Sequence, residues 1–188
     1  MVEVVGFTAS IHDSAVFVHT SSRGRTILLL YVHDMILTGD DSAHIAFVKQ
    51  KLCETFLMTD LGPLRYFLGI AITPHSDGYR LSQQRYTLDL LARSGLTDTR
   101  TAATPMELHL QLRASDGVPL SDPSRYRHLV NNLVYLVVTR PDISHAVHIL
   151  SQFVGAPTSV HYAHLLSVLR YLCGTASRGL FYSRQSPL

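Results

Sequence analysis

The chain is 188 residues long, 46% hydrophobic and only 16% charged, with 11 Gly and 8 Pro. That size fits one domain, or one domain with a subdomain, and so apolar a composition excludes a disordered tail, a collagen-like fibre and a coiled coil. Sixteen basic and fourteen acidic side chains leave a net charge of +2, far from the signature of a strong nucleic-acid binder.

The N-terminus carries Glu3 and no basic stretch, so no secretory signal is read there, and no apolar run reaches membrane-spanning length. The expectation is an intracellular chain, cytoplasmic or nuclear, without membrane association. Ala15 to Thr20 reads as a short strand and Ile27 to Val32 as a buried one. Met35 to Leu37 resumes the apolar run after His33-Asp34, so the segment predicts a hairpin with polar side chains at its tip. Asp40-Asp41-Ser42 then supplies an N-cap, and Ile45, Val48, Leu52 and Phe56 line one helical face. A second hairpin turns at His75-Ser76-Asp77-Gly78, and a helix from about Arg85 to Ser94 stops at Gly95.

Residues 97–119 are rich in Thr, Ala, Ser and Pro and show no steady period, which predicts a linker. Beyond it the chain turns helical. Asp122-Pro123 opens a helix striped by Tyr126, Leu129, Val130, Leu133, Val134 and Val137. Pro141 restarts the chain before Ile143, Ala146, Val147, Leu150 and Val154. A third stripe follows at Tyr162, Leu165, Leu166, Leu169 and Cys173, closed by Gly174, and Leu180 to Ser183 reads as a last strand. The fold class is α+β: antiparallel hairpins plus helices over 1–96, then a small helical bundle over 120–188. Residues 1–100 hold nine basic and ten acidic groups, whereas 101–188 hold seven and four, all seven of them Arg. Cys53 and Cys173 match no metal or redox spacing and are expected to be buried reduced thiols.

Leu28 to Asp41, LLLYVHDMILTGDD, carries the most specific signal. It resembles the catalytic hairpin of the reverse transcriptase of copia-type LTR retrotransposons. Further matches follow in order: Asp60-Leu61-Gly62, Tyr66-Phe67-Leu68-Gly69-Ile70, Leu81-Ser82-Gln83, Thr139-Arg140-Pro141-Asp142-Ile143, Leu150-Ser151-Gln152-Phe153 and Leu169-Arg170-Tyr171-Leu172. The resemblance implies a right-hand polymerase fold, with 1–96 as the C-terminal part of the palm and 120–188 as thumb and connection. It also implies Mg²⁺-dependent phosphoryl transfer, in which carboxylates hold two metal ions and the protein itself supplies hard oxygen ligands.

The chain departs from that plan. Position 33 is His where the family has the first Asp of a pair, so Asp34 alone remains as a metal-binding carboxylate. The palm strand with the third Asp and the fingers are expected to precede residue 1, and ribonuclease H to follow residue 188. The expectation is therefore no enzyme: a vestigial hairpin at Tyr31, Val32, His33 and Asp34, no intact metal site and no cofactor. Weak nucleic-acid contact is expected through Arg125, Arg127, Arg140 and Arg170. The alternative is a host-co-opted fragment acting by protein–protein interaction, or by self-association through exposed palm surface. Paired HxxH motifs, His145/His148 and His161/His164, have zinc-ligand spacing but fall on the polar sides of their helices, which predicts solvated histidines. Asp40-Asp41 reads as a helix cap, and His33-Asp34 has no nucleophile near it in sequence.

Overall fold

Each of the two hairpin patterns finds partners, and the described residues form two four-stranded antiparallel sheets and five α-helices. The computed structural model describes residues 6–56, 58–96, 98, 100–107 and 109–185. The chain divides into two compact units, Met1–Leu64 and Arg65–Leu188.

In the first unit, β1 (Thr8–Ala9), β2 (Val16–Ser21), β3 (Gly24–Tyr31) and β4 (Asp34–Gly39) pair in sequence order. Alternation along β3 turns Thr26 and Leu28 inward, where Leu28 sits between Phe17 and Leu37 of the neighbouring strands. Helix α1 (Ser42–Thr55) covers this face through Val48 and Leu52. Its cap forms as predicted, with an Asp41 carboxylate oxygen accepting from the His44 amide at 3.0 Å. The other Asp41 oxygen accepts from the Ser21 hydroxyl at 2.7 Å, and the His44 amide, followed by Ser21, holds this carboxyl below its ordinary value. Asp40 has a different task, accepting from the Arg25 amide to close β3 onto β4. Among the described residues, the fully buried apolar side chains of this core are Phe7, Leu28 and Val48.

In the second unit, β5 (Tyr66–Phe67), β6 (Ile70–His75), β7 (Gly78–Ser82) and β8 (Leu180–Ser183) form the other sheet. The predicted last strand is therefore paired to the second hairpin, Leu81 opposite Leu180. Helices α2 (Gln84–Arg93), α3 (Ser124–Leu136), α4 (Ser144–Ser151) and α5 (Ser159–Thr175) share one core, built from Leu90, Leu129, Leu133, Ile143, Leu150, Leu169 and their neighbours. The predicted stripe of α3 needs one change: Leu136 is buried, whereas Val134 is half exposed. The second hairpin and α2 thus belong with the later helices, and the break falls after Leu64, not near residue 96. The reason is non-local, since β7 pairs with β8 and α2 packs against α3 and α5.

Of residues 97–119, read as a linker, several described ones are bound to that core. Ala102, Met106 and Leu112 pack against it, Asp98 accepts from Arg170 at 2.9 Å, and the Leu120 amide reaches the Pro157 carbonyl at 3.0 Å. Both cysteines are exposed free thiols, contrary to the expected burial, because they lie off the packed faces of α1 and α5. Helix α5 runs one residue past Gly174, and among the described residues no helix is long and apolar enough to cross a membrane.

His161 also departs from expectation. It is fully buried, stacked on Phe153 at 3.9 Å, and its Nδ1 accepts from the Thr158 amide at 3.1 Å to complete a capping box on α5. Its Nε2 donates to the Arg113 carbonyl at 3.2 Å. Burial pushes the imidazole pKa down despite the Arg113 carbonyl, so the folded state holds it neutral. An unfolded His takes up its proton near pH 6.5. The stability it contributes is complete above about pH 6.5 and is lost as pH falls below it. Melting between pH 7.5 and 5 should show a falling Tm that His161→Gln flattens; an unchanged slope in the variant would refute the assignment.

Candidate functional site

The hairpin tip is built by β3 and β4, whose register sets Tyr31 opposite Asp34 and leaves a two-residue turn, Val32-His33. Val32 has φ 48°, a left-handed backbone at a β-branched residue, while its side chain is 74% exposed. Nothing in the packing of that side chain compensates the conformation, which costs on the order of 1–2 kcal/mol. The twist of the paired strands imposes it, because turns with a positive φ match the strand twist and ordinary ones do not. Tyr31, Val32, His33 and Asp34 are all exposed, so the tip displays an aromatic ring, an imidazole and one carboxylate to solvent. Val32→Gly is expected to raise the unfolding free energy of the first unit by about 0.5–1 kcal/mol, strain relief exceeding the added chain entropy. Urea unfolding checks this, and a destabilised variant would show that the valine side chain does more than occupy the turn.

Magnesium requires hard oxygen ligands in near-octahedral array. Among the described residues no group of three His, Cys, Asp or Glu side chains is placed to hold a metal ion. At the tip, Asp34 is the one carboxylate, and the imidazole of His33 is a poor Mg²⁺ ligand. The tip residues by themselves do not fit a two-magnesium site.

The four arginines named from sequence lie in the second unit, each with protein partners. The Arg125 guanidinium donates to the Ser94 carbonyl at 2.6 Å, at the end of α2. Arg127 donates to the carbonyls of Val154 at 2.7 Å and Gly155 at 3.0 Å. Arg170 makes an ion pair with Asp98 at 2.9 Å; the hydrogen bonds from Arg170 and then Arg100 hold that carboxyl far below its usual range.

Arg140 is 2% exposed. Its Nε and Nη2 grip the two Asp142 oxygens at 2.9 and 2.8 Å, and Nη1 donates to the Thr175 carbonyl at 2.9 Å. The Tyr171 hydroxyl adds a 2.7 Å hydrogen bond to Asp142. The Thr139-Arg140-Pro141-Asp142-Ile143 motif is thus a local clamp that ties the end of α3 to the end of α5. Sequence reading missed Arg80 and Arg178, which line a cavity beside this clamp. No motif signals them, because they come from β7 and from the segment after α5. Of the paired histidines, His145 and His148 are exposed and His164 half-buried, whereas His161 is spent on the cap described above.

Residues 1–108 match the family model described as reverse transcriptase (RNA-dependent DNA polymerase). Over 184 residues the chain is 41% identical to the retrovirus-related Pol polyprotein from transposon RE2 of Arabidopsis thaliana, a match covering 98% of this chain and 13% of that protein. It is 42% identical over 161 residues to an uncharacterized mitochondrial protein of the same plant, covering 86% of this chain and 67% of the other. A putative transposon Ty5-1 protein of Saccharomyces cerevisiae is 31% identical, with 98% of this chain and 60% of its own length covered. No solved structure matches. The chain therefore spans only 13% of the length of the Arabidopsis transposon polyproteins it resembles.

These matches overturn the expectation that the chain is not an enzyme. The matching family model is that of a reverse transcriptase, an enzyme, two of the relatives are Pol polyproteins, and His33 alone does not show that activity is lost. With the tip hairpin inside the matched segment and the likeness continuing through the second unit, the chain belongs to the reverse transcriptase (RNA-dependent DNA polymerase) family, in its copia-type retrotransposon branch.

Proposed function

We propose that this chain is the hairpin-bearing palm portion, followed by the thumb and connection portion, of a copia-type reverse transcriptase, and that it contacts a primer–template duplex. The observation carrying this reading is the tip: a β-branched residue held at φ 48° with Tyr31 and Asp34 exposed on either side. Strained, solvent-facing backbone persists where a surface has a task, and a turn with only a structural role would carry Gly at Val32. Tyr31 offers an aromatic face for stacking on a terminal base. Binding is weak, given a net charge of +2.

The test uses an RNA–DNA hybrid whose primer ends in photoreactive 5-iodouracil. Affinity should fall with salt along a log–log slope of about −2 to −3, as for about three neutralised phosphates. On irradiation the crosslink should map to the tryptic peptide Thr26–Lys49, which contains the tip. Crosslinks confined to other peptides would sink the assignment to the hairpin, and salt-insensitive binding would sink the duplex contact.

A second reading, a co-opted fragment working through protein contacts, is favoured by one patch of the second unit. Tyr66, Val134, Tyr135 and Val138 are each about half exposed, and the Tyr135 hydroxyl donates to the Leu68 carbonyl at 2.8 Å beside them. Concentration-dependent association in sedimentation velocity, abolished by Val138→Glu, would support that reading against the first.

A further inference from the structure

We propose that the second unit carries a phosphate-binding site in the cavity beside the Arg140–Asp142 clamp, where Arg80 and Arg178 are the groups that touch the phosphate oxygens. The cavity has a volume of about 400 Å³ and is lined by Arg80 from β7, by Thr139–Asp142, and by Arg178, Gly179 and Leu180 ahead of β8. Its walls thus bring together three guanidinium groups and one carboxylate.

That carboxylate is already committed. Burial works against the ionisation of Asp142, but the hydrogen bonds from Arg140 and then Tyr171 outweigh it and hold the group ionised. Arg140 is bidentate to it and also bonded to Thr175, so this pair closes on itself as a neutral unit with its guanidinium buried. Two positive charges remain. Arg178 is exposed, donates through Nη1 to the Tyr171 hydroxyl at 2.9 Å, and lies 5.9 Å from the centre of that ring. Arg80 is half-buried and donates through Nη2 to the Ser177 carbonyl, one residue before Arg178.

Each of these two bonds uses one of a guanidinium's five donors, and among the contacts of the described residues the rest of both forks is uncommitted. The Arg80–Ser177 bond fixes β7 to the segment that carries Arg178, so two like charges are held on one wall. If these side chains only fastened the segment after α5 to the sheet, neutral donors would serve without the repulsion. An anion with several oxygens relieves that repulsion and fits two planar forks, which is the geometry of phosphate recognition by arginine. The site does not rest on the primer–template reading, because the same chemistry takes a free phosphate or a backbone phosphodiester.

The probe is inorganic pyrophosphate, titrated calorimetrically into the whole chain at low salt. Wild type should bind it, and Arg178→Gln and Arg80→Gln should each weaken binding about tenfold, as expected for one charge-assisted contact. Arg178→Lys, at an exposed position that tolerates replacement, should lose about threefold, keeping the charge but not the fork. No binding by wild type would overturn the proposal. So would unchanged affinity in variants whose melting temperature has dropped, since that marks a purely structural role. The source is settled by competition against a fluorescein-labelled RNA–DNA hybrid. Displacement of the hybrid by pyrophosphate from wild type, but not from the double variant, assigns backbone phosphates. Pyrophosphate binding without competition assigns free phosphate and leaves the site standing even if hybrid binding fails.

Discussion

Arg140→Met is expected to lower the unfolding free energy of the second unit by about 3 kcal/mol. The guanidinium is 2% exposed and makes two bonds to Asp142 and two to Thr175, one to its carbonyl and one to its hydroxyl. Its removal leaves a carboxylate and a carbonyl without their partner, and breaking a buried pair in this way costs about 3–5 kcal/mol. The low end applies because the Asp142 side chain is 35% exposed and keeps the Tyr171 hydroxyl. Replacing both members, Arg140→Met with Asp142→Leu, should cost less than the single change, since no charge is then stranded. The pH dependence follows from the depressed Asp142 carboxyl. A folded pKa below the unfolded one gives stability that is present above about pH 4 and lost as acid protonates the group. That acid limb should shrink in the double variant. Urea unfolding followed at 222 nm reads all three, and a single-variant loss below about 1 kcal/mol would refute the clamp.

Leu28→Ala should abolish hydrogen-exchange protection across β2, β3, β4 and α1. Leu28 is 1% exposed and, among the described residues, shares its fully buried core with Phe7 and Val48 alone. Truncating a buried leucine costs about 2–5 kcal/mol through lost burial and the cavity left behind. A small unit with so few buried side chains has little more than that to lose. The second unit draws on Leu90, Leu129, Leu133, Leu136, Leu150, Leu165, Leu169 and Leu172, each at most 2% exposed, so α3, α4 and α5 should stay protected. Surviving protection of the β3 amides in the variant would contradict this account of the first unit.

Much of the local structure is legible in the sequence because its causes are local. The Tyr31–Asp34 tip, the Ser76-Asp77 turn before Gly78, the Asp41 cap and the start of α3 all follow from neighbouring residues. Helical periodicity likewise picks out Leu129, Leu133, Ala146, Leu150 and Leu169 as core. It fails at Val134 against Leu136, since two positions at the edge of a stripe differ only in which neighbour they meet. The exposure of the Cys53 and Cys173 thiols is decided in the same way.

What the sequence by itself determined is the family and the α+β class. The motif run from Leu28 to Leu172 is specific wherever the chain lies, and strand and helix periods are properties of consecutive residues. The tertiary structure alone decided where the chain divides, because β7 waits about a hundred residues for β8. It alone buried His161 under Phe153 and turned the supposed linker into a packed segment. The tertiary fold also separated the arginines. Arg140, expected from sequence to touch nucleic acid, is enclosed by Asp142 and Thr175, while Arg80 and Arg178 share a cavity. A charge is assigned its task by what surrounds it, and those surroundings are assembled from residues that no local pattern connects.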